Sequence, residues 1–108
     1  MNNPDRYVIV KITKGGAEDV YKVFATWMGG WRDGDAWRMN SGIVSVLEDD
    51  NAYTFVGFSG SEYQCVKGTY GYSTYTYGVL ESMINATNSV GYTMTIMEPN
   101  FDVLSLNN

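Results

Sequence analysis

The sequence predicts an α+β domain: an antiparallel β-sheet of about five to seven strands with one α-helix packed on one face. Three observations support this fold class. Short runs rich in β-branched and aromatic residues recur along the chain, turns rich in glycine, serine and aspartate separate them, and one segment has helical periodicity. One helix can cover one face of such a sheet, giving two layers. A small β-barrel with one helix is the alternative.

The chain length predicts a single compact domain over residues 1–108, because 108 residues leave room for no second domain. Hydrophobic residues make up 44% of the chain and charged residues 18%, which argues against intrinsic disorder. We therefore expect the chain to fold without a disulfide or metal staple.

The first two elements predict a β-hairpin. Arg6–Thr13 is a β-branched run, Lys14-Gly15-Gly16 supplies a tight turn, and residues 20–28 continue as a second strand. If the sheet is open, the first strand could lie at one of its edges, with Lys11 and Lys14 protecting it. The face of the second strand that we expect to point inward carries Tyr21, Val23, Ala25 and Trp27.

Three further strands predict a meander. Residues 36–47 form the first of them, and Gly42 within this run indicates a bulge or a close backbone approach. The acidic turn Glu48-Asp49-Asp50-Asn51 leads to a strand at 53–58, and Ser59-Gly60-Ser61 leads to another at 62–67.

The periodicity then changes to that of a helix. Its apolar stripe is formed by Val79, Leu80, Met83, Ile84 and Thr87, and its candidate N-caps are Ser73, Thr74 and Thr76. Residues 92–98 alternate as a last strand that Pro99 ends, and we expect residues 101–106 to dock as a short strand.

Composition excludes most conventional catalytic centres. The chain has no histidine and a single cysteine, Cys65, so the usual nucleophile–base pairs and transition-metal sites cannot form. No glycine-rich phosphate-binding fingerprint is present. Asp33-Gly34-Asp35 could bind a cation, but this pattern is typical of turn chemistry. We expect a protein that is not an enzyme, has no cofactor or metal, and carries Cys65 as a buried structural thiol.

The net charge of −5 disfavours nucleic acid as a partner, because phosphate backbones require clustered basic residues. The amino-terminal residues lack the features of a signal peptide, and no apolar run is long enough to cross a bilayer. These observations predict a cytoplasmic protein with no membrane partner.

Two aromatic segments are candidate binding surfaces. All three tryptophans lie in residues 27–38, a segment that also holds two arginines, and both residue types are enriched at interface hot spots. Trp27 and Trp37 could instead fill the core from facing strands. The second segment, residues 70–77, alternates tyrosine with small residues, a composition that antibody paratopes share. Its rings could also pack between the sheet and the helix. The predicted binding residues are Trp31, Arg32, Asp33, Asp35, Arg38, Tyr70, Tyr72 and Tyr75.

These features predict a non-enzymatic protein-binding or inhibitory domain that binds another protein through its aromatic and arginine-rich loop. The alternative is a protein that binds or sequesters a nucleotide-like small molecule, with the rings holding the base and Arg32, Arg38 or Lys67 holding the anionic group. A homo-oligomer is compatible with both hypotheses. The composition also resembles that of small viral accessory proteins, although no motif supports that association.

Overall fold

A computed structural model describes residues 1–29 and 34–107, which form seven strands and one α-helix. A four-stranded sheet has the order β3-β2-β1-β7 and a three-stranded sheet the order β4-β5-β6. All neighbouring strands are antiparallel. The α+β class is therefore confirmed, whereas the barrel alternative is wrong because both sheets are open. The elements are β1 (Arg6–Thr13), β2 (Val20–Trp27), β3 (Ala36–Met39), β4 (Ile43–Glu48), β5 (Ala52–Gly57), β6 (Glu62–Val66), α1 (Thr74–Ser89), β7 (Thr93–Ile96) and a 3₁₀ helix (Val103–Leu106).

The four-stranded sheet is the middle of three layers. Val23 on one of its faces packs with Phe55 of the three-stranded sheet, and Phe24 on the opposite face packs with Leu80 of α1. The expectation of two layers is wrong. The face of β2 that carries Val23 and Ala25 points inward as predicted, but the opposite face is covered as well. The physical reason is that the meander folds into its own sheet, which covers the face that the helix leaves bare.

Strand β1 lies inside the sheet, so its predicted position at an edge is wrong. Ile9 lies opposite Val23 of β2, and Lys11 lies opposite Thr95 of β7. The helix returns the chain to the far side of β1, and β7 then supplies the second neighbour. Because other elements cover both faces and both edges of β1, Ile9 in this strand is completely buried.

The predicted third strand divides into two strands that belong to different sheets. The buried Asn40 ends β3: its backbone N–H donates to the Val23 carbonyl at 3.0 Å, and its Oδ1 accepts from the Val23 N–H at 2.8 Å. Gly42 then adopts a φ of 139°, and a Cβ placed there would lie 3.4 Å from Cγ1 of Val20. The irregularity predicted at Gly42 is thus present: Gly42 lies at the crossing between the sheets, and the pairing of β4 with β5 shifts register between Ile43 and Ser45 directly after it.

The helix begins as the sequence predicts, and Ser73 is the N-cap. Ser73 Oγ accepts from the Thr76 N–H at 3.2 Å, and the Ser73 N–H donates to Thr76 Oγ1 at 2.9 Å, a reciprocal capping box. Thr76 Oγ1 also accepts a hydrogen bond from Thr26 Oγ1 at 3.0 Å, which fixes this end of the helix over β2. Four residues of the predicted stripe pack on the sheet: Val79, Leu80, Met83 and Ile84.

The carboxyl-terminal segment differs from the expected short strand. Asp102 Oδ1 accepts from the Leu104 N–H at 3.2 Å and caps a 3₁₀ turn, whose Val103 is buried in the core between the sheets. Asn107 then binds the backbone of Val46 on β4. A side-chain cap competes with strand pairing for the same backbone groups, and here the cap prevails.

Candidate functional site

The tryptophan-rich loop lies only partly within the described residues. Trp31, Arg32 and Asp33 are outside them, so the prediction that this loop binds a partner stays a prediction. Asp35 is described: its Oδ1 accepts from the Gly29 N–H at 3.3 Å and joins the two ends of the loop. Asp35 therefore has a local role in the loop.

Arg38 is exposed on β3 and lines a shallow cleft of about 440 Å³ together with Trp27 and Trp37. Both tryptophans also have contacts within the fold: Trp27 packs against the core between the sheets, whereas Trp37 lies outside both core clusters. Trp27 Nε1 donates to the Asn3 carbonyl at 3.0 Å, and the Trp37 ring stacks on Phe24 with centroids 5.6 Å apart. Trp37 remains 38% exposed, so one side of its ring is available at the surface.

Tyr70 is engaged inside the fold. Its hydroxyl donates to the Met97 carbonyl at 2.7 Å and accepts from the Ile9 N–H at 3.0 Å, at the point where β7 diverges from β1. Burial raises the pKa of this phenol, although the hydrogen bond from Ile9 acts in the opposite direction. The Tyr70 hydroxyl therefore connects β1 to Met97, the residue that follows β7.

The next tyrosines along the chain are exposed around the start of α1. Tyr72 and Tyr77 lie with ring centroids 4.9 Å apart and border a groove of about 420 Å³ between α1 and β7. Tyr75 is 59% exposed. The structure thus divides the predicted tyrosine segment into a packing residue, Tyr70, and a surface group that could contact a partner.

The largest described cleft lies elsewhere, where the chain crosses between the two sheets, and sequence reasoning missed it. This acidic cleft has a volume of about 690 Å³ and opens to solvent. Four separate segments form it: the approach to β2, the start of β4, the turn after β5 and the carboxyl-terminal segment. The residues that characterise it are Glu18, Asp19, Tyr21, Val44, Phe58, Phe101 and Leu106.

Aromatic rings form the apolar surface of the acidic cleft. Tyr21 and Phe101 stack with centroids 5.6 Å apart and ring planes 12° from parallel. Phe58 is 83% exposed. Its backbone is nevertheless fixed, because the Phe58 N–H donates to the Gly42 carbonyl at 2.7 Å and the Gly57 N–H donates to the Ser61 carbonyl at 2.8 Å. A large ring is thus presented to solvent from a constrained turn.

The electrostatic character of the cleft is negative. Glu18 and Asp19 are the charged side chains among the described residues that line it, and both are exposed. Neither carboxylate forms an ion pair or a side-chain hydrogen bond with another described residue. Lys14, from the preceding turn, instead lies 5.1 Å from the ring centroid of Tyr92. The carboxylates are therefore available to a cationic group.

Two groups in the core between the sheets, Cys65 and Tyr7, also have raised pKa values. Burial raises the pKa of the Cys65 thiol to about 12, and burial is also the main cause of the raised pKa of Tyr7. The predicted burial of Cys65 is confirmed. In residues 1–29 and 34–107, no group of three acidic or cysteine side chains could hold a metal ion. The expectation that the protein is not an enzyme stays a prediction.

Comparison of the chain with protein-family models, with curated proteins and with solved structures finds no match. Among the described residues, no helix has the length and apolar character that crossing a membrane requires.

Proposed function

We propose that the protein is a non-enzymatic protein-binding domain that holds a basic, partly apolar segment of another protein in the acidic cleft. The observation that carries the proposal is the pairing of an almost fully exposed phenylalanine, Phe58, with two carboxylates that no described cation neutralises. This combination suits a ligand that has an apolar and a cationic part next to each other.

A partner in the acidic cleft would remove the apolar surface of Phe58, Tyr21 and Phe101 from water. Burying a phenylalanine side chain contributes about 1.5–3 kcal/mol, and Phe58 loses almost none of its exposure in the isolated domain. The stacked rings of Tyr21 and Phe101 extend this surface into the cleft. Because hydrogen bonds fix the backbone of the turn that carries Phe58, little backbone conformational entropy would be lost when a partner covers it.

The charge of the cleft favours a cationic partner. Glu18 and Asp19 attract a lysine or arginine, and the net charge of −5 increases the rate of encounter with a basic segment. A phosphate group would be repelled by the same carboxylates, so the cleft does not suit the nucleotide-like ligand of the alternative hypothesis.

Lys67 also gives little support to that alternative. Its Nζ lies 2.7 Å from Glu48 Oε2 and 5.1 Å from the ring centroid of Tyr53, and the hydrogen bond to Glu48 is the main cause of its raised pKa. Its charge is thus largely satisfied within the fold. The small-molecule hypothesis stays a prediction for the tryptophan-lined cleft beside Arg38.

The test is a selection of random peptides on the wild-type protein, followed by binding and NMR mapping. We expect the enriched peptides to carry Lys or Arg beside an aromatic or aliphatic residue and to shift the resonances of Phe58, Tyr21 and Glu18. Phe58→Ala and Glu18→Lys should each weaken binding by about tenfold or more, which corresponds to about 1.4 kcal/mol. Binding should also weaken as salt increases, because the carboxylates are exposed.

Two matched variants control for surface changes in general. Leu47→Ala removes an apolar side chain that is 61% exposed on β4 outside the cleft, and Glu81→Lys repeats the charge reversal on α1. Both should retain the affinity of the wild type. Selection of acidic peptides, or resonance shifts confined to residues outside the cleft, would refute the proposal.

No helix among the described residues could span a membrane. The cytoplasmic location, the protein partner and the association with viral accessory proteins stay predictions. A partner that binds the acidic cleft would account for the exposure and negative charge of the largest cleft that the described residues form.

A further inference from the structure

Among the described residues, asparagines form hydrogen bonds with three of the four sheet edges. On β4, the side-chain amide of Asn107 accepts from the Val46 N–H at 2.7 Å and donates to the Val46 carbonyl at 2.8 Å. On β6, backbone hydrogen bonds link Asn2 to Glu62 and Gln64 at 2.9 and 2.8 Å. On β7, Asn88 Oδ1 accepts from the Met94 N–H at 3.4 Å. These contacts occupy some of the outward backbone groups that would otherwise pair with another strand: two on β4, two on β6 and one on β7.

Strand β3 is the remaining edge. The Asn40 N–H donates to the Val23 carbonyl, and alternation along the strand therefore directs the backbone groups of Arg38 and Ala36 towards β2. The N–H and C=O groups of Trp37 and Met39 point the other way. Within the described residues, nothing forms a hydrogen bond with these four groups.

We propose that β3 of a second copy of this chain pairs antiparallel with this edge, so that two four-stranded sheets join across a two-fold axis. The occupant is a second copy because the strand is self-complementary at one register. In an antiparallel pair centred on Trp37, the two Trp37 residues exchange both backbone hydrogen bonds, and the outward groups of Met39 extend the pairing.

Side-chain chemistry selects this register over its neighbour. A pair centred on Arg38 would place two guanidinium groups directly opposite each other, which is destabilising. Centring on Trp37 places Arg38 opposite Ala36 of the second copy and brings two aromatic rings together, a favourable cross-strand pair. Trp37 already stacks on Phe24 and keeps its other side exposed, so the second ring would extend an existing stack.

The expected association is weak. Strand β3 has four residues, which limits the buried area to that of transient interfaces. The net charge of −5 on each copy also opposes association at low salt. We therefore expect a monomer–dimer equilibrium in the micromolar to millimolar range that shifts towards the dimer as salt screens this repulsion. The proposal does not depend on the acidic cleft, which shares no residue with this edge.

The test measures mass by sedimentation across a concentration series. The wild type should dimerise, whereas Trp37→Lys and Trp37→Glu should each self-associate at least about tenfold more weakly. An equimolar mixture of the two variants should recover a one-to-one dimer, because opposite charges then meet at the two-fold axis. Leu47→Lys, which places the same charge on β4, is the control and should dimerise like the wild type.

Hydrogen exchange of the wild type provides a second measurement that needs no variant. The Trp37 and Met39 amides should exchange more slowly as concentration rises, whereas the Leu47 amide should not change. A wild type that remains monomeric at the highest attainable concentration would overturn the proposal. The same holds if the charged variants dimerise unchanged, or if mixing them gives no more dimer than each gives alone.

Discussion

Replacing Tyr70 with phenylalanine should destabilise the protein through the loss of one hydroxyl group. That oxygen donates to the Met97 carbonyl at 2.7 Å and accepts from the Ile9 N–H at 3.0 Å. It joins β1 to Met97, the residue after β7, beside the backbone hydrogen bond from the Met97 N–H to the Ile9 carbonyl. In Tyr70→Phe the ring still fits its place, but both backbone groups lose this partner.

The magnitude follows from the burial of these groups. Ile9 is completely buried, so water cannot replace the lost acceptor of its N–H. An unsatisfied buried polar group costs about 1–3 kcal/mol, and we expect a loss of about 2 kcal/mol in the free energy of unfolding. For a domain of this size that loss lowers Tm by roughly 10 °C.

The assay is urea unfolding followed by tryptophan fluorescence, with a thermal melt as a second measurement. Tyr75→Phe is the matched control, because its side chain is 59% exposed and its hydroxyl has no described partner. It should change the free energy of unfolding by less than about 0.5 kcal/mol. If Tyr70→Phe were as stable as this control, the hydroxyl would not be the link between β1 and β7.

Three further predictions concern stability. Gly78→Ala should raise the free energy of unfolding by about 0.5–1 kcal/mol, since nothing lies within 4 Å of a Cβ added at this position in the helix. Gly57→Ala should lower the free energy of unfolding, because its Cβ would lie 2.9 Å from Ser41 Oγ. The free energy of unfolding should fall as pH rises from 9 towards 12. The reason is that the pKa of Cys65 is about 12 in the folded state, against an ordinary value of 9.0, so only the unfolded state loses the thiol proton in this range. Cys65→Ala should show a shallower fall. Asn107→Ala should cost about 1–3 kcal/mol, because it removes two hydrogen bonds to the edge of β4.

Each of these predictions has a defined measurement. Urea midpoints of the two glycine variants should move in opposite directions, and a shared direction would contradict the packing argument. A pH series of urea titrations tests the thiol, and equal slopes for the wild type and Cys65→Ala would show that Cys65 does not contribute. For Asn107→Ala, hydrogen exchange of the Val46 amide should accelerate along with the loss of stability, and unchanged exchange would contradict its proposed cap on β4.

Local patterns in the sequence determined the secondary elements. The β-branched run at Arg6–Thr13, the meander turns and the stripe around Leu80 each depend on neighbouring residues, and the structure has a strand, turns and a helix there. The N-cap at Ser73 was among the predicted candidates for the same reason. Such signals act within a few residues, so sequence reasoning can detect them.

Only the tertiary structure decided how these elements share the core and which surfaces remain open. Strand β1 became central because β7, more than eighty residues later, pairs with its second edge. The run at 36–47 divided because Asn40 binds Val23 and Gly42 packs against Val20. The acidic cleft likewise needs Glu18, Phe58 and Phe101 together. These outcomes depend on contacts between distant segments, which periodicity and turn chemistry do not encode.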